Sequence, residues 1–286
     1  MLAADLLLLS AILSLGALGL AFGLLLALAA KVFFVETDPR IEQVEDVLPS
    51  AQCGACGKPG CGPYAEAVVS GEVEPNLCIP GGATVAGQVA EILGIEAGDV
   101  TPMVAVVRCK GGAHDAKERA AYEGILDCNA AEVVAGGPKA CTFGCLGFGT
   151  CVTACPFDAM GMSDEGLPVV FEDKCTGCGS CVAPCPRGIM ELVPRSQPVY
   201  LGCVSQDRGK DVKAVCSVGC SGCKACSMPK WTPSKAVKMK SNLPVLPAVW
   251  DDFQTSVRKC PGGAFFLREP GIENYQEEEE TAEAEA

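Results

Sequence analysis

The sequence predicts an α+β chain in which one N-terminal transmembrane helix is followed by several small units. Three observations carry this. Leu6 to Val35 is almost unbroken apolar sequence. Across the whole chain glycine (33 residues) and proline (20) are frequent while aromatics make up only 6%, so no unit can bury much apolar surface. Finally, twenty cysteines fall in runs that repeat along the chain.

The apolar run is long enough to span a bilayer with some tilt. Ala27-Leu28-Ala29 resembles a signal-peptide cleavage site, but the segment before the run holds Asp5 and no Lys or Arg, and the run is too long for a signal. Lys31 and Arg40 flank its C-terminal end, so the positive-inside rule puts the bulk of the chain in the cytoplasm. Reduced thiols fit that side. The expected address is therefore the bacterial cell membrane, single-pass.

The units are expected at 36–100 (membrane-proximal), 101–195, 196–270 and an acidic tail at 271–286. In the first, Cys53, Cys56, Cys61 and Cys78 sit in Cys-Gly-Ala-Cys-Gly-Lys-Pro-Gly-Cys-Gly and Leu-Cys-Ile-Pro-Gly-Gly. Four cysteines with no competing histidine favour an Fe–S cluster over zinc. The glycines let backbone N–H groups approach cluster sulfurs. Val85, Val89, Ile92 and Leu93 lie at helical spacing within 81–98, and 101–107 reads as a strand.

Cys175, Cys178, Cys181 and Cys185 follow C-x2-C-x2-C-x3-C with Pro186 after them, the run that holds a [4Fe–4S] cluster. The proline is expected to end the loop and start a short helix. Upstream, Cys141, Cys145, Cys151 and Cys155 precede Pro156 at looser spacing. Ligands interleave in paired-cluster ferredoxins. The expected sets are Cys141, Cys145, Cys151 and Cys185 for one cluster, and Cys155, Cys175, Cys178 and Cys181 for the other. The span 167–172 suits a hairpin strand, completing a ferredoxin-like module.

An internal repeat appears at an offset of 75 residues. It maps Cys141 to Cys216, Cys145 to Cys220, Cys151 to Cys226, Cys185 to Cys260, Pro186 to Pro261 and Cys128 to Cys203. Cys155, Cys175, Cys178 and Cys181 become Lys230, Trp250, Phe253 and Ser256. One whole ligand set is thus missing, and Trp250 and Phe253 are expected to fill the vacated volume. The retained site is read as Cys220, Cys223, Cys226 and Cys260, with Cys216 surplus and its role open. Cys109, Cys128, Cys203 and Cys216 suffice in number for a fifth cluster, but buried thiols are the expectation. Four [4Fe–4S] clusters are therefore expected.

The net charge of −13, partly from Glu277 to Glu280, Glu283 and Glu285, speaks against nucleic acid. The tail reads as disordered. Lys224, Lys230, Lys235, Lys238 and Lys240 form a basic stretch around the second-copy site. It reads first as a solvated face balancing thiolates and second as a docking patch for an acidic redox protein. His114, the one histidine, is expected at the surface. No dinucleotide fingerprint, Walker loop or metalloprotease motif is present, so the chain reads as an electron wire with no substrate chemistry of its own.

The N-terminal helix, Cys-Gly-Ala-Cys-Gly-x-Pro-Gly-Cys, Gly-Gly-Pro-Lys-Ala-Cys-Thr-Phe-Gly-Cys-Leu-Gly-Phe-Gly-Thr-Cys and Cys-Pro-Phe-Asp-Ala together resemble the B subunits of Rnf complexes. The resemblance covers nearly the whole chain and is specific through residue 193. It implies a component of an ion-translocating ferredoxin:NAD oxidoreductase that moves Na+ or H+. Implied partners are ferredoxin, an NAD-reactive flavoprotein subunit and integral membrane subunits. The four missing ligands of the second copy depart from relatives with two complete modules. A stand-alone anchored polyferredoxin and an Fe–S subunit of another membrane reductase are the rival readings.

Overall fold

The computed structural model describes residues 2–33 and 38–268. The expected end of the apolar run at Val35 and the acidic tail lie outside the described residues. Helix α1 (Leu2–Val32) contains a stretch, Ile12–Val32, that is apolar and long enough to cross a membrane. At 1.5 Å per residue α1 exceeds the ~30 Å hydrocarbon core. None of that stretch is buried against the rest of the chain.

The next unit is three helices. Helix α2 (Pro39–Val47) begins where the Asp38 carboxylate accepts the Arg40 N–H at 2.9 Å and Pro39 presets the first turn. Helix α3 (Cys61–Val69) starts on a cysteine. Helix α4 (Gly82–Leu93) ends at Gly94, whose φ of 68° is the left-handed cap that glycine adopts without strain. Val44, Leu48, Tyr64, Val68 and Val89 form the core. Tyr64 is buried because its hydroxyl donates to the Pro75 carbonyl at 2.9 Å.

Two units of one plan follow. In the first, β1 (Met103–Val107) leads to α5 (Cys128–Val133), α6 (Thr150–Thr153), the hairpin β2 (Met160–Met162) and β3 (Pro168–Val170), and β4 (Met190–Pro194). β1 pairs antiparallel with β4, Val104 facing Val193, and β2 pairs with β3. In the second, β5 (Val199–Leu201) leads to α7 (Gly209–Val215), the hairpin β6 (Lys238–Lys240) and β7 (Leu243–Val245), α8 (Gln254–Arg258) and β8 (Phe265–Leu267). β5 pairs with β8 and β6 with β7, the same outer pair around an inner hairpin.

The strands show which residues correspond. Arg108 N–H donates to the Ile189 carbonyl (2.8 Å) and Gly202 N–H to that of Ala264 (2.7 Å). Hence Cys109, two residues past β1, is the counterpart of Cys203, two residues past β5. The fixed offset had paired Cys203 with Cys128. The structure corrects this, because the segment carrying α5 is an insertion that only the first copy has. The short helix expected to start at Pro186 is also absent: a turn follows it. The expected helix at 81–98, the strand at 101–107 and the hairpin strand at 167–172 are present as α4, β1 and β3. His114 is exposed beside Glu165.

Candidate iron–sulfur centres

In the helical unit, Cys56, Cys61 and Cys78 pack around the Val44–Tyr64 core, and Cys78 interacts electrostatically with Cys61, Cys53 and Cys56. The Gln52 amide oxygen accepts the Cys61 N–H at 2.9 Å, fixing the loop at the start of α3. Burial pushes the Cys53 and Cys78 thiols up. The expected four are together.

In the first copy, Cys155, Cys175, Cys178 and Cys181 line one small void. Cys155 has left its sequence neighbours to join the other run, as interleaving requires. The Ala105 N–H of β1 donates to Cys175 Sγ at 3.5 Å. Gly177, at φ 73°, cannot carry a Cβ: it would stand 2.5 Å from the Met103 carbonyl oxygen.

The partner void is lined by Cys145, Cys151 and Cys185 together with Cys128. This corrects the expected set, which had Cys141 as the fourth member. Phe148 occupies the standard middle position of the run and leaves a gap. Cys128 fills it because Asp127 caps α5, accepting from Asn129 N (2.9 Å) and Ala130 N (3.0 Å). The Thr150 hydroxyl then donates to Asp127 (2.8 Å) and accepts from Cys128 N (2.8 Å), tying α5 to α6, where Cys151 sits. The Asp–Thr pair is the missed signal. Ile189 N–H donates to Cys185 Sγ at 3.3 Å. Cys141 lines a different cavity with Cys109, Cys203 and Cys216.

In the second copy, Cys220, Cys223, Cys226 and Cys260 share a small void. Ala264 N–H donates to Cys260 Sγ at 3.5 Å, the counterpart of the Ile189–Cys185 contact. Where the first copy has its other void, Trp250 is buried and meets Phe253 and Phe265 edge-on, with centroids 6.3 and 5.8 Å away. Ser256 is fully buried and hydrogen-bonded to Thr232 at 3.1 Å, while Lys230 points to solvent. Aromatic rings thus fill the volume, as expected.

The residues fit [4Fe–4S] clusters by three tests. Among the described residues, no three Cys, His, Asp or Glu side chains converge tightly enough for a single metal ion. A zinc ion with bonds of about 2.3 Å would draw its sulfurs together, whereas these thiols ring a void. Thr176 Oγ1, on the wall of the Cys155 site, is buried with no hydrogen-bond partner among protein atoms, which suits a cluster sulfur as acceptor. Burial also pushes Cys145, Cys181 and Cys226 up to about 12 and Cys151 and Cys220 to about 11. Free thiolates are costly in such places, so iron and amide donors must hold the charge.

Family comparisons bear on the same regions. Residues 48–80 match a family described as "Putative Fe-S cluster", and residues 139–190 match "4Fe-4S dicluster domain". The chain is 46% identical to the B subunit of the proton-translocating ferredoxin:NAD(+) oxidoreductase complex of Clostridium ljungdahlii, over 93% of this chain and 95% of that protein. The chain belongs to this family of Rnf-type B subunits. A Na(+)-translocating counterpart from Acetobacterium woodii is 48% identical over 72% of this chain and 62% of its own length. The B subunit of the ion-translocating oxidoreductase complex of Methanosarcina acetivorans is 43% identical over 81% and 87%. As a member of this family with a 4Fe-4S ferredoxin-like domain, the chain is an iron–sulfur protein.

Proposed function

We propose that this chain is the electron-carrying component of a membrane-bound, ion-translocating ferredoxin:NAD oxidoreductase, exchanging electrons with ferredoxin. Its neighbours are an NAD-reactive flavoprotein and integral membrane subunits, and its bulk lies on the cytoplasmic side. Bound clusters would supply one-electron storage at potentials set by their surroundings. The proposed ligand sets are Cys53, Cys56, Cys61, Cys78; Cys155, Cys175, Cys178, Cys181; Cys128, Cys145, Cys151, Cys185; and Cys220, Cys223, Cys226, Cys260.

The observation that carries the reading is contiguity. Cys53 of the membrane-proximal site interacts with Cys178, and Cys181 with Cys151. Three sites thus form a row leading away from the membrane-proximal unit. In the second copy, exposed Cys223 and Lys224 border the void, and Lys230, Lys235, Lys238 and Lys240 of the same copy are exposed. A basic, accessible edge suits an acidic redox protein.

Stopped-flow mixing of the purified full chain with reduced ferredoxin tests this. The expected result is bleaching of the cluster absorbance on the millisecond-to-second scale. No transfer, from a chain whose clusters are intact, would contradict it. Protease should digest the residues after Lys31 in inverted vesicles and spare them in right-side-out ones.

A further inference from the structure

Four cysteines remain outside the sets above, and they are not scattered. Cys109, Cys141, Cys203 and Cys216 line one small cavity, as the members of the other sets do. Cys109 and Cys203 are counterparts after β1 and β5; Cys141 and Cys216 are counterparts at the fixed offset. Each copy therefore contributes an equivalent pair, and the cavity lies on the seam between the two copies.

The local contacts follow the same correspondence. Cys145 N–H donates to Cys109 Sγ at 3.4 Å, and its counterpart, Cys220 N–H, donates to the Cys203 sulfur. A Cβ on Gly144 would lie 3.4 Å from Cys141 Sγ, and one on its counterpart Gly219 would lie 3.7 Å from Cys216 Sγ. Across the seam, a Cβ on Gly111 would stand 3.2 Å from Cys216 Sγ and 3.8 Å from Cys109 Sγ, so sulfurs from the two copies converge on one spot. Backbone bonds close the seam: Lys110 N–H to the Gly202 carbonyl (3.1 Å), Lys117 N–H to that of Val215 (2.9 Å), and a bridge between Ala116 and Cys216.

Charge is provided for as well. Lys139 is buried, with its ammonium donating to the Gly111 carbonyl at 2.8 Å, and Arg108 lines the cavity. A buried lysine with one neutral acceptor suits a site that carries negative charge when filled. Simple buried thiols explain none of this, since an apolar residue of similar size would pack as well.

We propose that Cys109, Cys141, Cys203 and Cys216 hold a fifth [4Fe–4S] cluster at the seam between the two copies. All twenty cysteines then fall into five sets of four. The site also closes the row. Cys109 touches the Cys145 loop on one side and Cys203 the Cys220 loop on the other, so it joins the first-copy pair to the second-copy site. It goes beyond the proposed function, which stands with four clusters.

The test is a cluster count on the anaerobically purified full chain, by native mass spectrometry with iron and sulfide analysis. The expected count is five clusters, about twenty iron atoms. Cys203→Ala/Cys216→Ala should lose one cluster, about four irons, while the signal lost in Cys220→Ala persists. A double variant with the same iron content as the parent chain would overturn the proposal. If that variant does not fold, the parent count decides: four clusters or fewer sinks the fifth site. Failure of the electron-carrier reading would look different, as intact clusters that ferredoxin does not reduce.

Discussion

The two copies of the ferredoxin plan share their strand pairs, one Cys-Pro turn (Cys185-Pro186 and Cys260-Pro261) and one cluster site, and differ at the other. In the first copy the inner site keeps Cys155, Cys175, Cys178 and Cys181 around a void. In the second, Trp250 and Phe253 take the volume and Ser256 pairs with Thr232. A cluster and an aromatic plug are thus alternative fillings of one fold. Each supplies the packing that a unit this small cannot draw from aliphatic side chains alone. The lesson is that the ligand set behaves as a unit: all four thiols stay or all four go.

The largest effect that could break this comparison is at the counterpart pair Cys155 and Lys230. Cys155→Ala should cost the cluster held by Cys175, Cys178 and Cys181, about four irons, and leave the Cys145 site filled. Lys230→Ala should leave the iron content unchanged. EPR of the two variants separates the sites. Loss of the Cys145 signal in Cys155→Ala would remove the interleaving.

A second substitution sharpens the comparison at the other site. Cys128→Ala should lose about four irons, because the first copy borrows its fourth ligand from α5. Adding Phe148→Cys restores the standard spacing that the second copy has at Cys223, and should recover the cluster. A double variant as depleted as the single one would mean that the borrowed ligand is not interchangeable with the standard one.

Trp250→Ala empties the plug. Truncating a buried aromatic typically costs about 3–5 kcal/mol, so the second copy should melt well before the first in hydrogen-exchange or limited-proteolysis profiles. Asp127→Ala removes a helix cap worth about 1 kcal/mol and loosens Cys128, so iron at the Cys145 site should become labile to chelators while the Cys220 site is unaffected. The smallest effect concerns the surface. Replacing Lys230, Lys235 and Lys238 with Gln should slow electron uptake from reduced ferredoxin at low salt only, with iron content intact. An unchanged rate at low ionic strength would make the lysines a solvated face.

What the sequence revealed follows from how local each ligand set is. The Cys175 run and the Cys220 run draw three ligands from one loop, so spacing alone locates them. The interleaved Cys155 was legible because its counterpart vanished together with Cys175, Cys178 and Cys181. Cys128 was not legible, since its place depends on the Asp127 and Thr150 side chains joining α5 to α6 across an insertion. Cys141 was misgrouped for the same reason, its proximity in sequence to Cys145 outweighing a partner that lies in the other copy. The seam cavity takes two residues from each copy, and no spacing within either copy encodes it.

An anomalous-scattering map at the iron edge, from crystals of the full chain prepared without oxygen, tests the central claim most directly. The account predicts iron among Cys155, Cys175, Cys178 and Cys181, and none in the corresponding pocket beside Trp250, Phe253 and Ser256. It also predicts that the iron beside Cys145 is bonded to Cys128. Iron beside Trp250, or Cys141 bonded to the same cluster as Cys145, would contradict it.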